Sequence, residues 1–222
     1  TEKHKDSGIN REELVRRHTI SFKTIDSTEV PQVGNGEIAF GIDVTGLQTL
    51  YGNTFSQWGW HSTPSPDGKT RADFIMKKIE IHDRTATYPV EEDGQEDLYA
   101  WLRENPHRLN LGKISFLLDG KLVAKEDLSE INQQLDLWEG IIYSNYQLKG
   151  IPVKVITICN PESDAIAVQV ESPLLKEKRL SVEIAFPYGH PTKLSGSDWD
   201  AFDKHDTQVS ISEANALFAR SL

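Results

Sequence analysis

The sequence predicts a mainly β fold, a two-layer antiparallel β-sandwich with one or two short helices. Short apolar stretches alternate along the chain with Gly, Pro, Asn and Asp, which is the spacing of strands and turns. Two segments also have the form of a strand, a two-residue turn and a second strand. The length of 222 residues suits a single all-β sandwich, which is favoured over two smaller domains.

The first elements in the chain are one short helix followed by strands. Helix-forming charged residues after Asn10, a residue type that caps helices, predict a helix over 10–17. Residues 18–23 alternate apolar and polar side chains, and residues 37–44 place four apolar side chains on one face with a period of two. Both segments are therefore predicted as strands.

Two hairpins are predicted in the middle of the chain. The first covers 114–124 and turns at Asp119-Gly120, where both central residues need a positive φ. The second covers 140–159 and turns at Lys149-Gly150. Its second arm, 151–159, is apolar on both faces, which indicates a central strand between two layers.

The remaining elements complete a sandwich domain over 1–212. Further strands are predicted at 164–171, 180–186 and 208–212. Apolar residues on one side predict a helix over 95–104 that ends at Asn105-Pro106, because the residue before proline disfavours helix. Residues 213–222 look helical and are expected to begin a linker to a further domain.

Composition excludes several classes of function. A net charge of −10 and a pI of about 5.2 oppose binding to a phosphate backbone, so nucleic acid is not an expected partner. Cys159 is the only cysteine, which rules out an intrachain disulfide. No apolar run is long enough to span a bilayer, and no membrane partner is expected. The chain begins at Thr1 without a signal peptide, which suggests either that a leader was removed or that the chain was cut there; a periplasmic or secreted location is expected and a cytoplasmic one stays open.

The segment 55–61 is unusual because two Trp, one Gln and one His fall within five residues. Alternation would place Trp58 and Trp60 on one face, with Gln57 and His61 at their edges. Sugar rings stack on indoles and hydrogen-bond to amide or imidazole groups, so this pattern fits a carbohydrate contact. The alternative, that both indoles belong to the core and His61 is a surface histidine, is equally favoured.

Neither a metal site nor a catalytic site is predicted. The acidic cluster at 198–206 lacks the ligand spacing of a calcium loop, and no histidine pair has zinc spacing. Glycoside hydrolysis needs two carboxylates around one sugar. No pair stands out by its setting, and Glu37 and Asp43 are expected to be edge or surface groups. No catalytic residue, metal ligand or cofactor is therefore assigned.

Five motifs together resemble the amino-terminal region of six-hairpin glycosidases, in particular uncharacterised glycoside hydrolases of the Bacteroides type. The motifs are VGNGEIAF at 33–40, DVTGLQT at 43–49, SQWGWH at 56–61, NPHRL at 105–109 and LDLWEG at 135–140. The resemblance covers about 17–186. It is specific as a combination, although each motif alone is weak.

The resemblance implies a supersandwich-type β domain that is followed by a linker and a catalytic (α/α)6 barrel. In that clan the catalytic carboxylates lie on the barrel, so this chain is expected to be non-catalytic, to pack on the barrel of the same parent protein and to lend loops to the carbohydrate cleft. The candidate contacts are then Gln57, Trp58, Trp60 and His61, with Asn35 from the glycine turn.

Two other functions stay open. The chain could be a free-standing carbohydrate-binding module, which requires solvent-exposed and coplanar indoles at Trp58 and Trp60. It could also be a small enzyme on a sandwich, such as an aldose epimerase, with His107 or His190 as the base and a partner that the sequence does not reveal.

Overall fold

A computed structural model describes residues 8–91, 94–189 and 197–221. The predicted fold class is confirmed: the protein is mainly β, its paired strands are antiparallel, and the arrangement is consistent with a β-sandwich. The described residues form three short α-helices, where one or two were predicted: α1 (Arg11–Arg16), α2 (Glu96–Glu104) and α3 (Pro173–Lys176).

The described strands are short in the first half of the chain and longer in the second. In chain order they are β1 (Ile20–Phe22), β2 (Gln32–Gly34), β3 (Ile38–Gly41), β4 (Thr54–Ser56), β5 (Trp60–His61), β6 (Lys77–Ile81), β7 (Arg84–Tyr88), β8 (His107–Arg108), β9 (Lys113–Leu118), β10 (Lys121–Leu122), β11 (Leu128–Asp136), β12 (Ile141–Leu148), β13 (Ile151–Cys159), β14 (Ile166–Glu171), β15 (Leu180–Ala185), β16 (Tyr188–Gly189), β17 (Ser197–Asp198), β18 (Asp206–Ser212) and β19 (Asn215–Ser221).

Both predicted hairpins are confirmed, and so is the reason for them. Asp119 and Gly120 have φ of 50° and 76° between β9 and β10, and Lys149 and Gly150 have φ of 49° and 80° between β12 and β13. A turn with two positive φ angles matches the twist of the strands it joins, which is why these dipeptides fix the pairing register.

The chain forms two compact units. Unit 1 comprises the described residues within 1–57 and 111–186, and unit 2 comprises those within 58–110 and 187–222. The chain therefore passes between the units three times, after residues 57, 110 and 186. The boundary at residue 212 between a sandwich domain and a linker stays a prediction.

Unit 1 holds two layers around one core. A five-stranded sheet has the order β1-β11-β12-β13-β14, and it shares a core with the sheets β2-β3-β4 and β10-β9-β15. The core includes Phe40, Ile42, Phe116, Ile142 and Val155, all at most 2% exposed. As predicted, β13 is a central strand, but only one of its faces is fully buried, and Ile156 and Ile158 on the other face are half-buried.

Unit 2 is built from small pieces. It contains the pairs β5-β8, β6-β7, β16-β17 and β18-β19, together with α2. Helix α2 agrees with the prediction and ends before Asn105 and Pro106. The predicted helix over 213–222 is wrong, because Asn215–Ser221 pairs with β18 as a strand.

Candidate functional site

Asp43, in the DVTGLQT motif, is fully buried in unit 1, so its prediction as an edge or surface group is wrong. One carboxylate oxygen accepts hydrogen bonds from the backbone N–H of Thr45 at 2.8 Å and from its hydroxyl at 2.6 Å. The other accepts from the backbone N–H groups of Leu50 and Tyr51. The carboxylate therefore closes the loop that links β3 to β4.

The charge of Asp43 is set by two opposing effects. Burial raises the pKa of the Asp43 carboxyl, while the hydrogen bonds from Thr45, Leu50 and Tyr51 act to lower it. The Asp43 carbonyl also accepts a bond of 2.7 Å from the side-chain amide of Gln133, which is itself fully buried. This carboxylate thus has a structural role inside unit 1.

Gly46, in the same motif, allows the loop to lie against β13. Its φ is +81°, and a Cβ there would lie 2.6 Å from the Val155 Cγ1 atom. The Gly46 carbonyl accepts a bond of 2.6 Å from the Thr157 hydroxyl. A side chain at this position would push the loop off the sheet.

Asn35, a predicted carbohydrate contact, is engaged within the glycine turn of unit 1. Its side-chain oxygen accepts from the backbone N–H groups of Glu37 and Ile38, both at 2.9 Å, and its Nδ2 atom donates to Asp164 at 3.1 Å. This is the turn-forming role of asparagine. Its contact with carbohydrate stays a prediction.

Gln57, another predicted contact, is the last residue of unit 1 before the chain enters unit 2. Its backbone N–H donates to the Glu37 carbonyl at 2.6 Å, and the residue is exposed. The predicted contacts therefore fall in two units: Asn35 and Gln57 in unit 1, and Trp58, Trp60 and His61 in unit 2.

Trp58 and Trp60 are exposed in unit 2, with 59% and 54% of their surfaces accessible. The interpretation of both indoles as core is therefore wrong. Gly59 between them is buried, and its carbonyl accepts from the Leu109 N–H at 2.8 Å. The backbone N–H of Trp60 donates to the Trp58 carbonyl at 3.0 Å. The backbone is fixed while both indoles remain accessible to solvent.

Arg108 is a member of this site that was not predicted from the sequence. It pairs with Trp60 across the β5-β8 ladder, and its Cζ atom lies 3.9 Å from the centroid of the Trp60 ring. A guanidinium over an indole is attracted by the negative ring face, which restrains the orientation of the indole. The NPHRL motif contains this residue, but its partner becomes apparent only once the strands pair.

His61 and His107 form a hydrogen-bonded pair in the same ladder. The Nδ1 atom of His61 lies 3.2 Å from the Nε2 atom of His107, and the Nδ1 atom of His107 lies 3.1 Å from the Glu104 carbonyl. A carbonyl only accepts, so His107 carries its proton on Nδ1. In the neutral ring its Nε2 atom then accepts from His61, which leaves the Nε2 atom of His61 as an acceptor.

The surroundings of His61 favour the neutral form of its own imidazole. Burial lowers the pKa of His61, and His107 lowers it further. The Tyr188 ring meets the His61 imidazole edge-on, with the ring centroids 6.2 Å apart. A Cβ at Gly189 would lie 2.8 Å from the imidazole. The imidazole is thus closely packed and can accept a hydrogen bond from a hydroxyl group.

Within the described ranges, no group of three or more His, Cys, Asp or Glu side chains is arranged to hold a metal ion. His190, an alternative candidate base, lies outside the described residues. None of the helices in the described part of the chain has the length and hydropathy that a bilayer span requires.

Comparison with known proteins assigns no family to this geometry. No protein-family model matches the chain, and no curated protein matches it.

Proposed function

We propose that this chain is a non-catalytic, carbohydrate-contacting β domain of a larger glycoside hydrolase, and that Trp58 and Trp60 of unit 2 form its sugar-contact surface. The observation that carries the proposal is the exposure of these two indoles, two residues apart, on a hydrogen-bonded backbone. Exposed aromatic faces beside a few placed polar groups are the usual means of holding a sugar ring.

The polar groups of the β5-β8 ladder support the same proposal. Arg108 lies over the Trp60 ring and restrains it, and the next pair of the ladder, His61 and His107, leaves the Nε2 atom of His61 as an acceptor. A sugar hydroxyl can donate to such an acceptor while its ring lies on an apolar face.

The test is titration of the protein with a panel of neutral oligosaccharides, followed by tryptophan fluorescence and calorimetry. We expect at least one member to quench fluorescence, and we expect W58A or W60A to weaken its binding about tenfold, the effect of losing about 1.4 kcal/mol. W138A is the matched control, because Trp138 is 46% exposed but belongs to unit 1.

Two outcomes would contradict the proposal. One is the absence of binding by every member of the panel at millimolar concentration. The other is an equal loss of affinity in W138A and W60A, since that would place the contact elsewhere.

The assignment to a larger enzyme is supported by the five motifs that resemble the amino-terminal region of six-hairpin glycosidases. Its test is the parent gene, in which an (α/α)6 barrel of several hundred residues is expected downstream of the segment that encodes this chain. The partner of this chain is then the barrel of the same parent protein, and a periplasmic or secreted location of that protein is expected. Hydrolysis of a glycoside by the purified chain would contradict the non-catalytic role.

A free-standing carbohydrate-binding module is the second candidate, favoured by the same exposed indoles. The two candidates differ in what surrounds the chain: a module binds sugar without affecting a barrel, whereas an accessory domain changes the activity of the parent enzyme. W60A in the full-length parent separates them, because only the accessory role predicts a raised KM.

A further inference from the structure

Strand β14 forms one edge of the five-stranded sheet in unit 1. Among the described residues it pairs with β13 alone. It has six residues, whereas β1 at the opposite edge has three and is followed directly by Lys23. Short strands and lysines commonly protect a sheet edge from pairing with another chain, so β14 is the less protected of the two edges.

Every second residue of β13 bonds to β14. The two-residue turn at Lys149-Gly150 makes Leu148 and Ile151 a hydrogen-bonded pair, and bonded and non-bonded pairs alternate along an antiparallel ladder. Odd-numbered residues of β13 therefore bond to β12, and even-numbered residues bond to β14. The Asn160 N–H, which donates to the Ala165 carbonyl at 2.8 Å just beyond both strands, continues this alternation.

The same alternation decides which backbone groups of β14 face the open edge. The residues that bond to β13 are Ala167, Gln169 and Glu171. The N–H and carbonyl groups of Ile166, Val168 and Val170 point away from β13, and they have no backbone partner in the described part of the chain. The edge thus offers three donors and three acceptors to an added strand.

The side chains of these three residues form an apolar row on the inner face of β14. Ile166, Val168 and Val170 are half-buried and pack against the core of unit 1. Glu171, at the end of the strand, is its only charged residue. An added strand would therefore remove further apolar surface from water and meet little charge.

β14 is complementary to itself when two copies pair in antiparallel orientation. With a two-fold axis at Val168, the Val168 N–H of each copy donates to the Val168 carbonyl of the other, and Ile166 lies opposite Val170. All the outward backbone groups of these three residues are then paired. No two carboxylates within 165–171 lie directly opposite each other in this register, so like charges do not oppose it.

An apolar cavity of about 180 Å³ lies next to this edge within unit 1. Its lining includes Ile166 of β14 and Phe40, Ile114 and Ile184 of the facing layer. In the antiparallel pair, Val170 of the second copy lies beside Ile166 on the same inner face. Its side chain therefore covers the cavity and adds apolar contact there.

We propose that β14 is a dimerisation edge, through which two copies of this chain join their five-stranded sheets into one continuous sheet. This inference goes beyond the proposed function, because β14 belongs to unit 1 and the Trp58 and Trp60 indoles to unit 2. A contact of one strand on each side buries less than about 1,200 Å² in total, the range of weak interfaces, so the dimer dissociates on dilution.

The test is sedimentation velocity from about 1 μM to about 1 mM protein, with amide hydrogen exchange at both ends of the range. We expect a monomer–dimer equilibrium, and we expect the amides of Ile166, Val168 and Val170 to be protected only at high concentration. The amides of Ala167 and Gln169 bond to β13 and should be protected at both concentrations.

V168P removes one outward N–H and leaves the bonds to β13 in place, since proline is tolerated where the N–H faces away from a sheet. It should weaken the dimer at least about tenfold, because both Val168 bonds of the symmetric pair are lost. S21P is the matched control: by the same alternation, Ser21 holds the outward position of the β1 edge. It should leave the dimer unchanged.

Disulfide cross-linking tests the register with exposed residues only. Ala167 of one copy lies opposite Gln169 of the other in a non-bonded pair, where Cα atoms are about 4.5 Å apart and a disulfide can form. A mixture of A167C and Q169C proteins should therefore cross-link faster than either variant alone.

Several outcomes would overturn the proposal. They are a monomer over the whole concentration range, a folded V168P protein that dimerises as the unchanged chain does, and equal cross-linking by the mixture and the single variants. Protection of the Val168 amide that does not depend on concentration in the full-length parent would also overturn it, because another segment of the parent then covers the edge.

Discussion

Unit 1 and unit 2 use the same kinds of polar and aromatic side chains in opposite ways. In unit 1, Asp43 and Gln133 are fully buried and bond to the backbone of their own unit. In unit 2, Trp58 and Trp60 are more than half exposed. The motifs that look most distinctive in the sequence therefore divide into those that build a scaffold and those that face solvent.

The difference teaches that a rare motif indicates a binding role or a structural role only once the burial of its side chains is known. A carboxylate such as Asp43 with four internal hydrogen bonds stabilises the fold and is inaccessible to ligand. An indole such as Trp60 contributes little apolar burial where it stands and is accessible to ligand. Mutations in the two units should accordingly separate stability from binding.

The largest expected effect is on Asp43. Its replacement in D43A leaves the buried N–H of Thr45 and the part-buried N–H groups of Leu50 and Tyr51 without their acceptor, and each such loss costs about 1–3 kcal/mol. The free energy of unfolding should fall by about 4 kcal/mol in urea titrations followed by circular dichroism. D83A, at an exposed site, should change it by less than about 0.5 kcal/mol. A D43A protein as stable as D83A would break the comparison.

The next effect is at Gly46, with Gly36 as a matched control. Both have a positive φ, so an alanine is strained by about 1 kcal/mol at either position. Only at Gly46 does the new Cβ also meet Val155, whereas Gly36 faces open space. The free energy of unfolding should fall by about 3 kcal/mol in total in G46A and by about 1 kcal/mol in G36A. Similar thermal midpoints for the two variants would contradict the packing of this loop on β13.

A smaller effect is the pH dependence of unit 2. The folded pKa of His61 is lowered, so the unfolded chain binds more protons and stability falls as the pH drops through about 6.5, the ordinary histidine value. H61Q should flatten this part of a stability–pH profile. H82Q, at an exposed turn, should leave it unchanged, and equal flattening by both variants would exclude the His61–His107 pair as its source.

The smallest expected effect on stability is at Trp58. W58A should change the free energy of unfolding by less than about 0.5 kcal/mol, because the indole is exposed. W101F should lose about 1 kcal/mol, since Trp101 donates its indole N–H to the Thr63 carbonyl at 2.9 Å. Urea unfolding of the two variants shows whether the Trp58 indole contributes to stability. A larger loss of unfolding free energy in W58A than in W101F would mean that the Trp58 indole packs against the protein.

Local chemistry makes part of the fold predictable from the sequence. Asp119-Gly120 and Lys149-Gly150 determine the hairpins, since backbone angles at the turn are a local property. The residues 215–221 resemble a helix in sequence because Ala, Leu and Arg favour helix in isolation, whereas pairing with β18 decides their conformation.

Properties that depend on distant residues are not predictable in the same way. The burial of Asp43 results from a sheet formed later in the chain, and 34 acidic residues offer no local mark of which one is buried. Arg108 meets Trp60 only through the β5-β8 ladder. The division into two units has no local signal either, because the chain leaves unit 1 after Gln57 and rejoins it at Leu111.

The β5-β8 ladder has a consequence for any attempt to transplant the aromatic surface. Its two strands have two residues each and come from segments 46 positions apart, as in the pairing of His61 with His107. A synthetic peptide spanning 55–61 would supply both indoles without the Arg108 guanidinium that lies over Trp60 and without the His107 imidazole that bonds to His61. The aromatic surface is formed by two segments that are distant in sequence, and only a graft that carries both segments in register would reproduce it.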